Sequence, residues 1–259
     1  MAHKPIFLKT VEWWGGERWQ SLLGHMSHTL ALERFGPWLA RRILWRVEAF
    51  EKIVALSFDD GPHPEFTPAI IDVLERYKIP ATFFLVGRHV RQHPQVAQRL
   101  DKGPHEIANH TFNHRVLPML RDQAILHEIR HADHLIREIT GRAPRLLRPP
   151  MGLFSRRVVD LIEGCGYTTV IGDVYPRDPN LPGRERIYRR VMRRVRPGSI
   201  IILHDGGNTR RVDRSQTVWA TERIIENLSA QGYRFVTISE LASLGENSFD
   251  GDGHLKIKS

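Results

Sequence analysis

The sequence predicts an α/β fold built on a parallel sheet, either closed into a barrel or left open and doubly wound. Three observations lead there. Short runs rich in β-branched and aromatic residues alternate with helical patterns through seven units after Lys52. Several of these runs are apolar throughout, as strands covered on both faces are. Acidic, basic and histidine residues collect just after the runs, at the strand ends where parallel α/β folds build their sites. With 259 residues, 41% of them hydrophobic and 26% charged, the chain suits one large domain with a sizeable core.

In chain order, the strand candidates cover residues 53–58, 81–86, 105–109, 145–148, 167–171, 199–203 and 233–238. After Thr67, an N-cap candidate followed by Pro68, the residues Ile70, Ile71, Val73, Leu74 and Tyr77 recur at helical spacing. Ile125, Ile129, Ala132, Ile136 and Ile139 step by four and three and end at Gly141. Further helical patterns cover 158–162, 187–195 and 218–228.

Residues 1–50 differ from the rest. They hold Trp13, Trp14, Trp19, Trp38 and Trp45, five of the six tryptophans. Leu39, Ile43 and Val47 recur at helical spacing with Arg41, Arg42 and Arg46 between them, which predicts a short basic amphipathic helix. The expected organisation is therefore an N-terminal helical extension over 1–50, a catalytic domain over 51–244 and a flexible polar tail over 245–259. The extension is expected to pack as a lid on the main domain, with an anionic membrane surface as its alternative partner.

The excess of 38 basic over 29 acidic residues gives a net charge of +9, which favours anionic partners. Nucleic acid is not expected among them, because the charge is spread out and no nucleic-acid-binding motif occurs. The single cysteine, Cys165, excludes an intrachain disulfide and reads as a small packed residue. No apolar run reaches the roughly 18 residues of a membrane helix. With no export signal visible, the expected location is cytoplasmic or peripheral at a membrane surface. Arg184, Arg186, Arg189, Arg190, Arg193, Arg194 and Arg196 surround the apolar stripe Ile187, Val191 and Val195. They predict a solvated helix face, with an anion-binding patch as the alternative.

Five clusters carry chemistry. Ser57-Phe58-Asp59-Asp60-Gly61-Pro62 ends a strand in adjacent carboxylates, and such a pair calls for a cation nearby. His110 and His114 are four apart; on one helical turn both rings would reach one metal ion. Arg148, before Pro149, Pro150 and Gly152, can clamp a carboxylate. Asp173 to Pro179 and then Leu203-His204-Asp205 follow the next two strands. In a parallel barrel such strand ends converge on one pocket. His127, His131 and His134 repeat the histidine spacing inside a long helix, without a strand-end carboxylate, and read as a solvated face.

With these clusters in this order, the stretch from about Lys52 to Leu241 resembles the polysaccharide deacetylases with a NodB homology domain, also called carbohydrate esterase family four. Ser57 stands where threonine is usual, Pro104 is inserted before His105-Glu106, and Pro179 replaces a tryptophan, with Tyr175 able to supply the missing wall. The resemblance implies a distorted TIM-like (β/α)7 barrel and one divalent metal ion, zinc first, with cobalt or another ion as alternatives. It implies Asp60, His110 and His114 as the metal ligands, Asp59 as general base and His204 as general acid. Asp178 would hold the His204 imidazolium, with Asp173 competing for that role, and Arg148 would orient Asp59. A backbone N–H near His63 would join the metal in stabilising the oxyanion. Leu203 and its neighbours would line the acetyl pocket, beside Pro149 and Tyr175 at the substrate. The implied activity removes the N-acetyl group of an amino sugar in a chitin-like, peptidoglycan, exopolysaccharide or lipid-linked glycan, releasing acetate. Two readings compete with it: the same chemistry on a small non-sugar amide or ureide, and a catalytically silent glycan- or membrane-binding protein.

Overall fold

The structure is a computed structural model that describes residues 42–209 and 211–244. The extension up to residue 41 and the tail from 245 lie outside the described residues. In chain order the strands are β1 (Ile43–Leu44), β2 (Ile53–Asp59), β3 (Thr82–Leu85), β4 (Glu106–Asn109), β5 (Leu146–Leu147), β6 (Thr168–Val170), β7 (Ile200–His204) and β8 (Arg234–Val236). The helices are α1 (Phe66–Tyr77), α2 (Gly87–Gln92), α3 (Pro94–Lys102), α4 (Asp122–Thr140), α5 (Arg156–Gly164), α6 (Arg184–Met192), α7 (Ser215–Ala230) and α8 (Ile238–Leu244).

All strand pairs are parallel, in the order β1-β6-β5-β4-β3-β2-β7. β8 pairs the first three residues of β2, leaving the C-terminal half of β2 to β3. The two ends of this path meet: Val174, beyond β6, bridges Ile201, and Arg46, beyond β1, bridges Ser199. The sheet therefore curls into a barrel that short isolated bridges close, which is the distortion expected. Gly198 makes the closure sterically feasible: a Cβ there would lie 1.8 Å from the Val47 carbonyl oxygen, and its φ is +79°.

One expectation is corrected here. Residues 43–47 do not continue a helix: Ile43 and Leu44 pair with Thr169 and Val170 as a strand. The barrel thus takes in residues on the extension side of the boundary at residue 50. Ile43 and Val47 are buried as predicted, but a strand edge to fill outweighs a helical spacing in a short segment. Thr67 is likewise not the N-cap of α1, which begins one residue earlier.

Alternation along the strands sorts the core into two layers. Val54, Leu56 and Phe58 of β2 point outward and pack with Ile70, Leu74, Ile224 and Leu228 of the surrounding helices. Ile53 and Ala55 point inward, with Phe84, Ala108 and Ile200. Ile238, Leu241 and Ala242 of α8 join this inner layer. The Ile238 N–H donates to Thr82 Oγ1 at the start of β3, so α8 plugs the N-terminal mouth. Each such fully buried aliphatic or aromatic side chain contributes roughly 1.5–3 kcal/mol. The C-terminal mouth is left for polar side chains.

Candidate active site

On β2 the inward face continues from Ile53 and Ala55 to Ser57 and Asp59. The next residue should point away, yet Asp60 leaves the strand with a φ of 72°. Non-glycine residues seldom adopt that region, and the turn brings Asp60 into the same mouth. Its Oδ1 lies 3.0 Å from His114 Nε2 and 3.6 Å from His110 Nε2. The Asp60 carbonyl is held by His89 Nδ1 at 2.8 Å. It also lies against Gly206, where a Cβ would come within 2.1 Å of it.

The two histidines reach Asp60 by a route the spacing did not predict. Residues 110–114 are irregular, with Thr111 at φ 67° and His114 at φ 56°. Buried partners hold this loop. Asn109 Oδ1 accepts the Thr111 N–H at 2.8 Å, and Glu128 of α4 accepts the Asn113 N–H at 2.6 Å and its Nδ2 at 2.9 Å. Asn109 and Glu128 went unpredicted. Glu128, an acid three residues after Ile125 on the apolar stripe of α4, was the available signal.

The donor set fits a divalent metal ion. One carboxylate oxygen and two imidazole nitrogens lie within 4.8 Å of one another. His110 Nδ1 faces the Arg148 carbonyl at 2.7 Å, so it carries the proton and leaves the Nε2 lone pair toward Asp60. Burial lowers the His110 pKa to about 4, keeping the imidazole in the neutral, ligating form. Burial opposes the charge on Asp60, but the facing His114, which also donates a hydrogen bond, then His204 and His110 hold it well below the usual carboxylate range.

Asp59 stands beside this triad, paired to the fully buried Arg148. Arg148 Nη1 donates to Asp59 Oδ1 at 2.5 Å and to Ser57 Oγ at 3.0 Å. Its guanidinium lies 4.0 Å from the centroid of the Phe84 ring, a cation–π contact that partly replaces lost hydration.

His204, the last residue of β7, faces Asp178. Its Nδ1 lies 3.0 Å from Asp178 Oδ1, and its N–H donates to Asp178 Oδ2 at 2.9 Å. Thr217 Oγ1 donates to the same Oδ2 at 2.9 Å. Burial opposes the imidazolium, but Asp178, by charge and hydrogen bond, then Asp60 and Asp59, raise the His204 pKa above the ordinary histidine value. Of the two competing aspartates, Asp178 therefore occupies this position. Asp173 accepts from Ser199 Oγ and the Ile200 N–H at the start of β7, at the other end of the strand.

Tyr175, half-buried, lies with its ring centroid 5.8 Å from that of His204. Burial and the carboxylates of Asp178, Asp59 and Asp60 push its phenol above the ordinary range, so it stays protonated. Pro149 is buried in the turn between Arg148 and the exposed Met151.

One expectation is corrected. Leu203 does not line the cleft: it packs outward with Val54, Leu56 and Phe58. Strand alternation puts Ile202, not Leu203, on the face of His204, and Ile202 is nearly buried against Gly172. The His63 N–H itself donates to Thr67 Oγ1 at 2.8 Å, so an oxyanion donor near His63 would be a different N–H. The His63 ring instead accepts the Glu65 and Phe66 N–H groups at the start of α1. Thr67 passes the link on, donating to Asp205 Oδ2 at 2.5 Å. Burial pushes the Asp205 carboxyl up to about 7, against that hydrogen bond. Of the helical histidines, His127 and His134 are exposed, while His131 stacks on Phe112 at 3.8 Å between centroids.

Known proteins resemble this chain in sequence and in fold. The family model described as polysaccharide deacetylase matches residues 46–170. A peptidoglycan-N-acetylglucosamine deacetylase of Bacillus cereus is 41% identical over 201 residues, which cover 77% of this chain and 92% of the relative. A chitooligosaccharide deacetylase of Sinorhizobium fredii is 39% identical over 187 residues, covering 70% of this chain and 87% of the relative. The crystal structure of a peptidoglycan N-acetylglucosamine deacetylase, in complex with an N-hydroxybenzamide, superposes with a TM-score of 0.74 at 29% identity, covering 79% of this chain and 94% of the other. On its sequence, its barrel and the residues gathered at the barrel's mouth, the chain belongs to the polysaccharide deacetylase family.

Proposed function

We propose that this chain is a metal-dependent hydrolase that removes the N-acetyl group from N-acetylated amino sugars of a glycan, with zinc as its ion. One observation carries the reading: a two-histidine, one-carboxylate set shares its mouth with an arginine-held carboxylate and an aspartate-held histidine. A binding protein has no use for base, metal ligands and acid together. The relatives named as deacetylases of N-acetylglucosamine and of chitooligosaccharides support an amino-sugar substrate over a small amide or ureide.

When bound, a divalent ion supplies Lewis-acid polarisation of the amide carbonyl and a readily ionised water. Asp59, oriented by Arg148, accepts the proton of the attacking water. His204 enters protonated and gives its Nε2 proton to the sugar nitrogen as the C–N bond breaks. Asp178 holds the imidazolium in place through Nδ1. The products are the free amino sugar and acetate; water supplies the oxygen that acetate gains. Tyr175 and Ile202 form walls beside His204.

Metal analysis of the purified protein, together with acetate release from N-acetylglucosamine oligomers, tests this. His110→Ala is expected to lose metal and activity together; Asp59→Asn is expected to keep the metal and lose turnover. Full turnover by Asp59→Asn, or release from small amides but from no N-acetyl sugar, would overturn the proposal.

A further inference from the structure

Asp60 is gripped at its backbone and at its side chain by one closed circuit of hydrogen bonds that starts on α2. The His89 ring faces the Asp60 carbonyl through Nδ1 at 2.8 Å. Arg88 Nε donates to the other ring nitrogen, His89 Nε2, at 3.3 Å. Arg88 Nη2 donates to Oδ1 of Asn208, an exposed residue in the loop after β7. Asn208 Nδ2 in turn donates to Asp60 Oδ1 at 3.4 Å. That oxygen is the one facing the Nε2 atoms of His110 and His114.

The chemistry of the groups fixes the direction of every link. A carbonyl only accepts, so His89 Nδ1 carries the proton and Nε2 accepts from a guanidinium that only donates. The same guanidinium takes the Asn208 oxygen, which leaves the amide nitrogen for the carboxylate. Both donors come from one planar fork, which lysine lacks. The backbone beneath is tied at the same place. The Val86 N–H donates to the Gly61 carbonyl at 2.8 Å, the Gly87 N–H to Thr111 at 2.9 Å and the Arg88 N–H to Phe112 at 3.0 Å. The start of α2 therefore fastens the turn that carries Asp60 to the loop that carries His110 and His114. A carboxylate oxygen has two lone-pair sites, so Asp60 Oδ1 can accept from Asn208 and still offer a lone pair to an ion.

We propose that Arg88 and Asn208 are positioning residues for the metal ligand Asp60: their circuit keeps Oδ1 aimed between the two histidines and so sets the affinity of the site for its ion. The inference rests on the metal-dependent reading of the site and adds two residues that lie outside the ligand set. A circuit that served only to brace α2 against the loop after β7 would act on stability and not on the ion.

The test titrates the metal-free, full-length protein with Zn2+ in competition with a chromogenic chelator, and follows melting of the metal-free protein beside it. Arg88→Lys keeps the positive charge, so its Coulombic effect on the ion is held constant, but it cannot serve His89 and Asn208 together. Asn208→Leu removes both ends of the amide at an exposed position. Each is expected to weaken zinc binding roughly ten- to a hundredfold, the range for groups that orient a metal ligand from behind, with melting of the metal-free protein little changed. The double variant is expected to bind zinc about as the weaker single variant does, because either substitution opens the same circuit. Wild-type zinc affinity in both single variants overturns the proposal, whether or not their melting falls. So do losses that multiply in the double variant, since the two residues would then act independently. If the wild type itself takes up no zinc, the metal-dependent reading fails and this inference falls with it. Zinc uptake and acetate release by the wild type, with the same zinc affinity in every variant, refute the circuit alone.

Discussion

Replacing Asp178 by asparagine tests how the acid is made. The carboxylate accepts three hydrogen bonds, from His204 Nδ1, the His204 N–H and Thr217 Oγ1, in a site with no exposure. Asparagine keeps the volume but has only one acceptor oxygen. If that oxygen stays with the His204 N–H, the amide nitrogen faces Nδ1, and two donors meet unless the ring gives up its Nδ1 proton. The variant therefore favours a neutral imidazole in the other tautomer. The lost charge-assisted hydrogen bond is worth about 1.5–3 kcal/mol, or roughly ten- to a hundredfold in kcat/KM at 1.36 kcal/mol per decade. The sign of the pH effect follows from the raised His204 pKa. A general acid acts only while protonated, so activity falls as pH rises through its pKa, and removing Asp178 moves this alkaline limb to lower pH. A bound cation would offset the contributions of Asp60 and Asp59 but not that of Asp178, which reaches the opposite nitrogen. The assay is acetate release against pH, with melting curves to show that the variant folds. An unchanged rate and an alkaline limb in the wild-type position would refute the assignment of acid and partner.

Two further outcomes check the packing around the site. Arg148→Met strands Asp59 as a buried, unpaired carboxylate and is expected to cost about 3–5 kcal/mol in the metal-free protein, with much of it regained in Arg148→Met/Asp59→Asn; denaturant titration reads both, and a single variant as stable as wild type would contradict the buried pair. Leu203→Ala is expected to cost about 2–5 kcal/mol of stability with KM unaltered, whereas Ile202→Ala lowers kcat/KM by roughly tenfold or more; steady-state kinetics beside thermal melts separates the two, and the reverse pattern would mean the strand faces are misassigned.

Much of the architecture was legible because it depends on local periodicity. All seven predicted strands are present, most a residue or two shorter at each end, and the long helix stops at Gly141, whose φ is 72°. Short elements were harder to see. β1 has two residues and exists because β6 offers it an edge. α2 and α3, joined at His93, lack a long apolar stripe of their own. Alternation from Ile200 puts Ile202 inward and Leu203 outward, so the faces of β7 are legible in the sequence.

Taken by itself, the order of residue types along the chain determined the chemistry on offer: two carboxylates at one strand end, two histidines at the next but one, an arginine and a histidine further on. Side-chain ligands and proton carriers are local properties, and a parallel barrel brings strand ends together whatever the details. Only the tertiary structure decided which groups meet. Asp60 turns toward the histidines because its backbone is left-handed, and Asp178 rather than Asp173 reaches His204 because the loop through Arg177 folds back over β7. The His63 N–H was taken by Thr67. The meetings of Asp60 with the histidines and of Asp178 with His204 join residues 26 to 54 apart in sequence, where no spacing rule acts and the packing of the whole domain selects the partner.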